Sequence, residues 1–243
     1  MGVLPHLLLF DIDGTLLNTE GAGMRAFTSA FEQLYPAQVA ACGGVPGIDF
    51  AGSTDSGIVM GMFTELGITD SSSQRERFYA AYLSCLRRNL GEPGVTGSLL
   101  GGVAGLLGQL TEDVRGTAVL PGLLTGIIAA AARIKTDYYG ISGYFRFGSY
   151  GDDHHDRNQL GPVAVNRASD LLGRDLSSAP VTVIGDTVKD IRCARAFGAR
   201  VVAVASGNIP AQQLAGHHPD LLLENLDDVS EVLALLGEIG RAH

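Results

Sequence analysis

The chain has 243 residues, of which 46% are hydrophobic and 18% charged, a formal net charge of −9, and three scattered cysteines, Cys42, Cys85 and Cys193. This is an ordinary globular composition, long enough for one large domain or a core with a small second unit; its acidity argues against nucleic acid or an anionic membrane as partner, since both need a basic footprint. No C-x-x-C pair suggests a disulfide framework or a zinc site, no run reaches the roughly 20 apolar residues of a membrane span, and the apolar start lacks the basic leader of a signal peptide, so cytoplasmic residence is expected.

The first element is the apolar run Leu7-Leu8-Leu9-Phe10, which reads as a buried strand of a parallel sheet. It leads directly into Asp11-Ile12-Asp13-Gly14-Thr15. Ligands of open α/β sheets bind at the carboxyl ends of such strands. Asp11 and Asp13 lie two apart, point the same way in any extended geometry, and call for a cation to offset them. The pattern then turns helical through residue 96. Met24, Phe27, Ala30, Phe31 and Leu34 recur at helical spacing, as do Ile58, Met62, Phe63 and Leu66, and then Phe78, Tyr82, Leu86 and Leu90. Ser73 followed by Glu76 fits a capping box opening the third of these helices. With no strand candidate, residues 18–96 read as a small helical unit inserted into a sheet domain made of residues 1–17 and 97–243. The glycine-rich stretches Cys42 to Gly52 and Gly91 to Gly97 read as loops, the second a hinge back to the core.

Helix and strand alternate from about Gly101 onward. Ala118 to Leu124 is a strand in which Pro121 removes a ladder donor and demands a bulge or an edge position. Ile127 to Lys135 is helical and Tyr144 to Phe147 a short strand. Pro162 suits the first turn of a helix that ends before Gly173. Val181 to Ile184 is a strand, Thr187 to Phe197 a helix stopped by Gly198, Val201 to Ala205 and Leu221 to Leu223 strands, and Asp228 to Leu236 a helix. Such alternation implies an α/β fold with a doubly wound parallel sheet.

The order of short motifs is more specific than any one of them. Asp11-x-Asp13-Gly14-Thr15, the strand-end Leu124-Thr125-Gly126, a basic loop residue and Gly185-Asp186-Thr187-Val188-Lys189-Asp190 follow one another. In this the chain resembles the haloacid dehalogenase-like (HAD) hydrolase superfamily, and within it the phosphoglycolate phosphatase-like group. The resemblance covers a Rossmann-like core from end to end, and residues 18–96 match the helical cap that many relatives insert after the first motif.

The resemblance implies that Asp11 attacks phosphorus and forms an aspartyl-phosphate, with Mg2+ making the target electrophilic and offsetting its charge. Asp13 matches the general acid and base, its backbone carbonyl being the usual metal ligand. Asp186 matches the metal ligand of the last motif. Thr125 and Gly126 match the phosphate-binding pair, against the simpler reading of a helix cap; many relatives carry Asn where this chain has Ile127. For the single cation that balances nucleophile and phosphate, the loop 151–157 offers Arg157, and an arginine fits phosphate bidentately. Arg167 is its rival, although it falls inside a helix and reads as a solvated face. The two lysines, Lys135 and Lys189, both lie outside that loop. Asp190 reads as the partner of Thr187 in a capping box, as a supporting contact of the metal site, or as both. Asp152 to Asp156, with His154 and His155, invites a separate metal reading, but a solvated loop is favoured. Gly43 to Asp55 is the candidate specificity loop, unless Thr54 and Asp55 serve only to cap the next helix.

The resemblance therefore implies a magnesium-dependent phosphatase acting on a small phosphorylated metabolite. A hexose-phosphate mutase and a catalytically silent binding protein on the same scaffold are the alternatives. Relatives that cleave carbon-halogen bonds generally lack a carboxylate at the Asp13 position. Those that hydrolyse phosphonates use a cap lysine, and residues 18–96 contain none.

Overall fold

The computed structural model describes residues 4–47, 49–92, 96–110 and 119–239. Strand β1 (His6–Phe10) and the short β2 (Leu17–Asn18) precede four helices, α1 (Ala22–Leu34), α2 (Pro36–Ala41), α3 (Asp55–Glu65) and α4 (Ser72–Leu90). Strand β3 (Ser98–Leu99) then closes this block by pairing antiparallel with β2. Next come α5 (Val103–Leu110), β4 (Val119–Leu124), α6 (Ala129–Tyr138), β5 (Gly148–Ser149) and α7 (Leu160–Leu172). The chain finishes with β6 (Val181–Gly185), α8 (Val188–Ala196), β7 (Arg200–Val204), α9 (Ala211–Ala215), β8 (Leu221–Leu223) and α10 (Val229–Ile239).

The sheet runs β5-β4-β1-β6-β7-β8, with every pair parallel. This is the α/β arrangement expected from the alternating pattern. All five residues of β1 are buried, because helices cover both faces of the sheet. Period-two alternation sends Leu8 and Phe10 into the cluster that includes the aromatic core of the helical block, and Leu7 and Leu9 into the cluster with Leu160, Ala164 and Val201. The chain order reverses at β1, with β4 on one side and β6 on the other, so a crevice opens at the carboxyl ends of these three strands. The helical block stands over that crevice. Its own core is aromatic, with the Phe31 and Phe78 rings 4.3 Å apart and Phe27 and Phe78 at 4.8 Å.

Several local details depart from the sequence reading. Pro121 sits in β4, which lies inside the sheet, and the register with β1 runs without a bulge from His6 opposite Val119 to Phe10 opposite Leu123. Leu123 and Thr125 donate their N–H groups to Phe147 and Ser149. Pro121, two residues earlier, faces the same side but lies beyond the short β5, so no ladder bond is lost. The strand expected at Tyr144 to Phe147 is displaced: Ser142–Tyr144 is a 3-10 turn and pairing falls on Gly148 and Ser149. The Phe147 ring fills the space where a side chain at Gly122 would stand, so that segment is spent on packing. Helix α4 is capped by Ser71, which accepts from the Gln74 N–H at 3.3 Å, so Ser73 lies within the helix. Helix α2, with Pro36 at its first position, was not expected. The proposed loop from Cys42 to Gly52 holds no helix or strand among its described residues. Residues 93–95 of the expected hinge lie outside the described residues. No helix among the described residues is long and apolar enough to cross a membrane.

Candidate active site

Asp11 is the first residue beyond β1, and its N–H donates to the Ile184 carbonyl of β6 at 2.9 Å. The chain then turns sharply, with Gly14 at φ +81°, a left-handed conformation that suits glycine. The missing side chain matters as much as the dihedral angle, because a Cβ at Gly14 or at Gly207 would overlap the Asp186 carboxylate. Thr15 Oγ1 completes this seat by donating to Asp186 Oδ1 at 3.1 Å. Asp186 itself follows β6, so two adjacent parallel strands deliver Asp11 and Asp186 to one point.

The carboxylates of Asp11, Asp186 and Asp190 are all buried and offer oxygens within 4.8 Å of one another. Burial, followed by the negative charges of Asp11 and Asp190, pushes the Asp186 carboxyl up to about 8. Thr187 caps α8, and Asp190 Oδ2 accepts from both the Thr187 N–H, at 3.0 Å, and its hydroxyl, at 2.7 Å. The other Asp190 oxygen is held by Arg157. Both oxygens of Asp190 are thus committed, whereas Asp11 meets Arg157 and Asp186 meets Thr15 through one oxygen each. A buried, oxygen-only donor set with excess negative charge fits a small hard dication such as Mg2+.

Arg157 opens the 3-10 turn Arg157–Gln159, where the Asp156 side chain accepts from the Asn158 N–H. Its buried guanidinium lies between Asp11, with Nη2 at 3.1 Å from Oδ1, and Asp190. Burial opposes the positive charge, but Asp190 and Asp11 outweigh it and move the pKa above the ordinary arginine range. Nη1 donates to the Gly52 carbonyl at 3.2 Å. Arg167 lies elsewhere, paired with Asp153 at 2.6 Å and donating to the Gly148 carbonyl. Thr125 and Gly126 follow β4 and line the same cavity as Asp11, Asp13 and Arg157. Thr125 Oγ1 accepts from the Ile127 N–H at 3.4 Å.

The acidic loop is solvated as expected, with Asp152 and His155 exposed and Asp153, His154 and Asp156 half-buried, and it is also tied to the fold. Asp152 accepts from the Ala129 N–H at 2.9 Å, and Asp153 accepts from the Tyr150 N–H at 2.8 Å while pairing with Arg167. These carboxylates satisfy donors around the turn that presents Arg157. They form no metal-ligating cluster among the described residues.

Two residues in the cavity wall were missed or undervalued. Lys135 of α6 is buried and pairs with Asp13. The signal was its place on the buried stripe Ala131, Ala132, Lys135 and Thr136, where an apolar side chain would otherwise be expected. Asp55 opens α3 and is buried, its Oδ2 accepting from the Ile128 N–H at 3.0 Å. Burial raises its carboxyl to about 7. Thr54 does cap α3, accepting from the Gly57 N–H, and also donates to the His155 carbonyl at 2.6 Å. Lys189 reaches Asp49 at 2.8 Å and the Ser53 hydroxyl at 2.6 Å. The whole stretch from Asp49 to Asp55 is therefore clasped to the strand ends. The cavity, which opens to solvent, measures about 300 Å³, and Phe27, Phe50, Ile58 and Tyr82 are among the residues that line it.

Comparison with known proteins agrees with this geometry. Residues 158–229 match the HAD-hydrolase-like family model. No curated protein matches the sequence. Among solved structures, a hydrolase from Pseudomonas syringae superposes with a TM-score of 0.63 at 20% identity, covering 95% of this chain and 98% of that one. A predicted phosphoglycolate phosphatase from Haemophilus somnus 129pt gives 0.62 at 18%, covering 93% and 96%. A proposed beta-phosphoglucomutase from Bacteroides vulgatus gives 0.63 at 16%, covering 97% and 90%. At these identities the likeness is one of fold. The chain is thus similar in sequence to the HAD-hydrolase-like family over residues 158–229, and over nearly its whole length it shares the fold of these hydrolase structures.

Proposed function

We propose that the protein is a magnesium-dependent phosphatase that hydrolyses a small phosphomonoester through an aspartyl-phosphate on Asp11. One observation carries this reading: three buried carboxylates, Asp11, Asp186 and Asp190, converge at the strand ends with a buried guanidinium between two of them. Carboxylates so placed are costly unless a cation completes the site. The nature of two of the structural neighbours, named as a phosphatase and a mutase, points to phosphoryl transfer.

On this reading Asp11 and Asp186, with the backbone carbonyl of Asp13, hold the metal, which when bound polarises the phosphoryl group and offsets its charge. An oxygen of Asp11 attacks phosphorus as the ester P–O bond breaks, and Asp13 gives its proton to the departing alkoxide. Asp13 then takes a proton from water, whose oxygen attacks the same phosphorus and returns Asp11 as a free carboxylate. Arg157, Thr125 and Gly126 hold the phosphoryl oxygens, and Asp190 steadies Arg157. Residues 18–96 act as the cap, with core residues 1–17 and 97–243 supplying the chemistry, so that bulk solvent is excluded while the one water that Asp13 activates reaches the phosphorus.

Phosphate release from phosphoglycolate, sugar phosphates, nucleotides and p-nitrophenyl phosphate, with and without magnesium, tests the proposal in the wild type and Asp11→Asn. Magnesium-dependent release that Asp11→Asn abolishes is expected. Equal rates for the two proteins would remove Asp11 from its role, and isomerised sugar phosphate in place of free phosphate would indicate a mutase.

A further inference from the structure

Arg157 already serves Asp11 and Asp190, yet a second cation is built into the cavity wall, on a helix that could have presented an apolar side chain there. The Lys135 side chain is 2% exposed, while its partner Asp13 is 47% exposed. Room for the ammonium is provided by Gly23 of α1, where a Cβ would stand 3.0 Å from Nζ. Burying an ammonium costs several kcal/mol, and an ion pair with a half-exposed carboxylate returns little of it. A methionine or leucine would fill the stripe of α6 without that cost. The charge therefore acts on what it touches, and among the described residues Asp13 is its one ion-pair partner.

We infer that Lys135 is a positioning residue for Asp13, fixing the carboxylate that exchanges the proton with the leaving group. The inference rests on the phosphatase reading above. Asp13 leaves the sharp turn after β1 with its carboxylate open to the cavity, so its orientation is not set by packing. Anchoring Oδ2 on a buried, immobile ammonium leaves Oδ1 as the oxygen that faces the substrate. The two cations are thereby sorted, Arg157 to the nucleophile and Lys135 to the acid and base. A misplacement of about 1 Å in such a group can cost on the order of 100-fold in rate.

The test compares kcat/KM for p-nitrophenyl phosphate, whose leaving group departs without a proton, with that for the best alkyl phosphate of the panel, whose leaving group needs one. In Lys135→Met the alkyl ester is expected to lose about 100-fold and the aryl ester less than about tenfold. Adding Lys135→Met to Asp13→Asn is expected to cost no more than about twofold further, since both act through one group. Gly23→Ala crowds the ammonium without removing it and is expected to show a weaker form of the same selectivity, which decides the matter if the lysine variant does not fold. Equal losses on both esters, losses that multiply with Asp13→Asn, or no loss would overturn the inference while leaving the phosphatase reading intact. Wild-type protein that turns over neither ester would overturn both.

Discussion

Arg157→Met should be the most damaging single substitution in the strand-end cluster, and the damage should appear in stability before any activity is measured. The guanidinium is 6% exposed and Asp190 is fully buried, with Asp11 Oδ1 3.1 Å from Nη2. At that separation and an effective dielectric of about 20, one such contact has a gross Coulomb energy of about 5 kcal/mol. Part of this is offset because the substitution also relieves the burial of the guanidinium. What remains is the penalty of two buried anions stripped of their cation, for which broken buried pairs suggest about 3–5 kcal/mol. A domain of this kind is stable by about 5–15 kcal/mol, so roughly a fifth or more of the total is at stake. Urea denaturation in metal-free buffer at neutral pH measures it directly, provided the m-value stays constant. Adding Asp190→Asn should restore more than about 1 kcal/mol, because it removes one of the stranded charges. A single-variant loss below about 1 kcal/mol, the range of an exposed surface pair, would refute the reasoning.

Asp55 supplies a pH-dependent counterpart. Its carboxyl is raised by burial from 3.8 to about 7, so the folded protein binds this proton more tightly than the unfolded chain does. Its contribution is therefore fully present below about pH 4 and is lost as pH rises towards 7, by up to a few kcal/mol. Asp55→Asn should lack that decline, and denaturation at pH 5 and pH 7.5 should show the stability difference between the two proteins shifting in favour of the variant; a difference that does not change with pH would count against it. Magnesium should raise the thermal midpoint of the wild type, contributing about 2.7 kcal/mol at a hundred times its Kd. Asp186→Asn should remove the response, and a variant that still responds as the wild type does would place the ion elsewhere.

The strand-end residues were legible because their positions depend on local pattern. An apolar run followed by a carboxylate or a threonine marks the exit of a parallel strand, and Asp11, Thr125 and Asp186 each stand at such an exit. Lys135 was not legible in the same way. Its charge reaches Asp13 only because α6 packs with one particular face inward, and that rotation is set by contacts with the rest of the fold. The aromatic segment before β5 misled for a related reason: the place of Phe147 depends on the missing side chain of Gly122 in a neighbouring strand. The ties of the solvated acidic loop were not legible, because the donors its carboxylates satisfy, at Ala129, Tyr150 and Arg167, are separated from it in sequence or hidden within its own turn.

Chemistry and shape are divided between the two walls of the cavity, yet one side chain belongs to both. The strand ends provide the charged groups, and the helical block provides Phe27, Phe50, Ile58 and Tyr82. The segment from Asp49 to Asp55 touches each of the core loops in turn, through Gly126 and Ile128 after β4, His155 before the Arg157 turn, and Lys189 at the start of α8. Arg157 joins this clasp, because the guanidinium that meets Asp11 through Nη2 also donates through Nη1 to the Gly52 carbonyl. A group that draws on the Arg157 charge therefore also bears on the contact that holds the loop down. In this fold the seating of an anion at the strand ends and the seating of the loop above it share a single rigid, permanently charged fork.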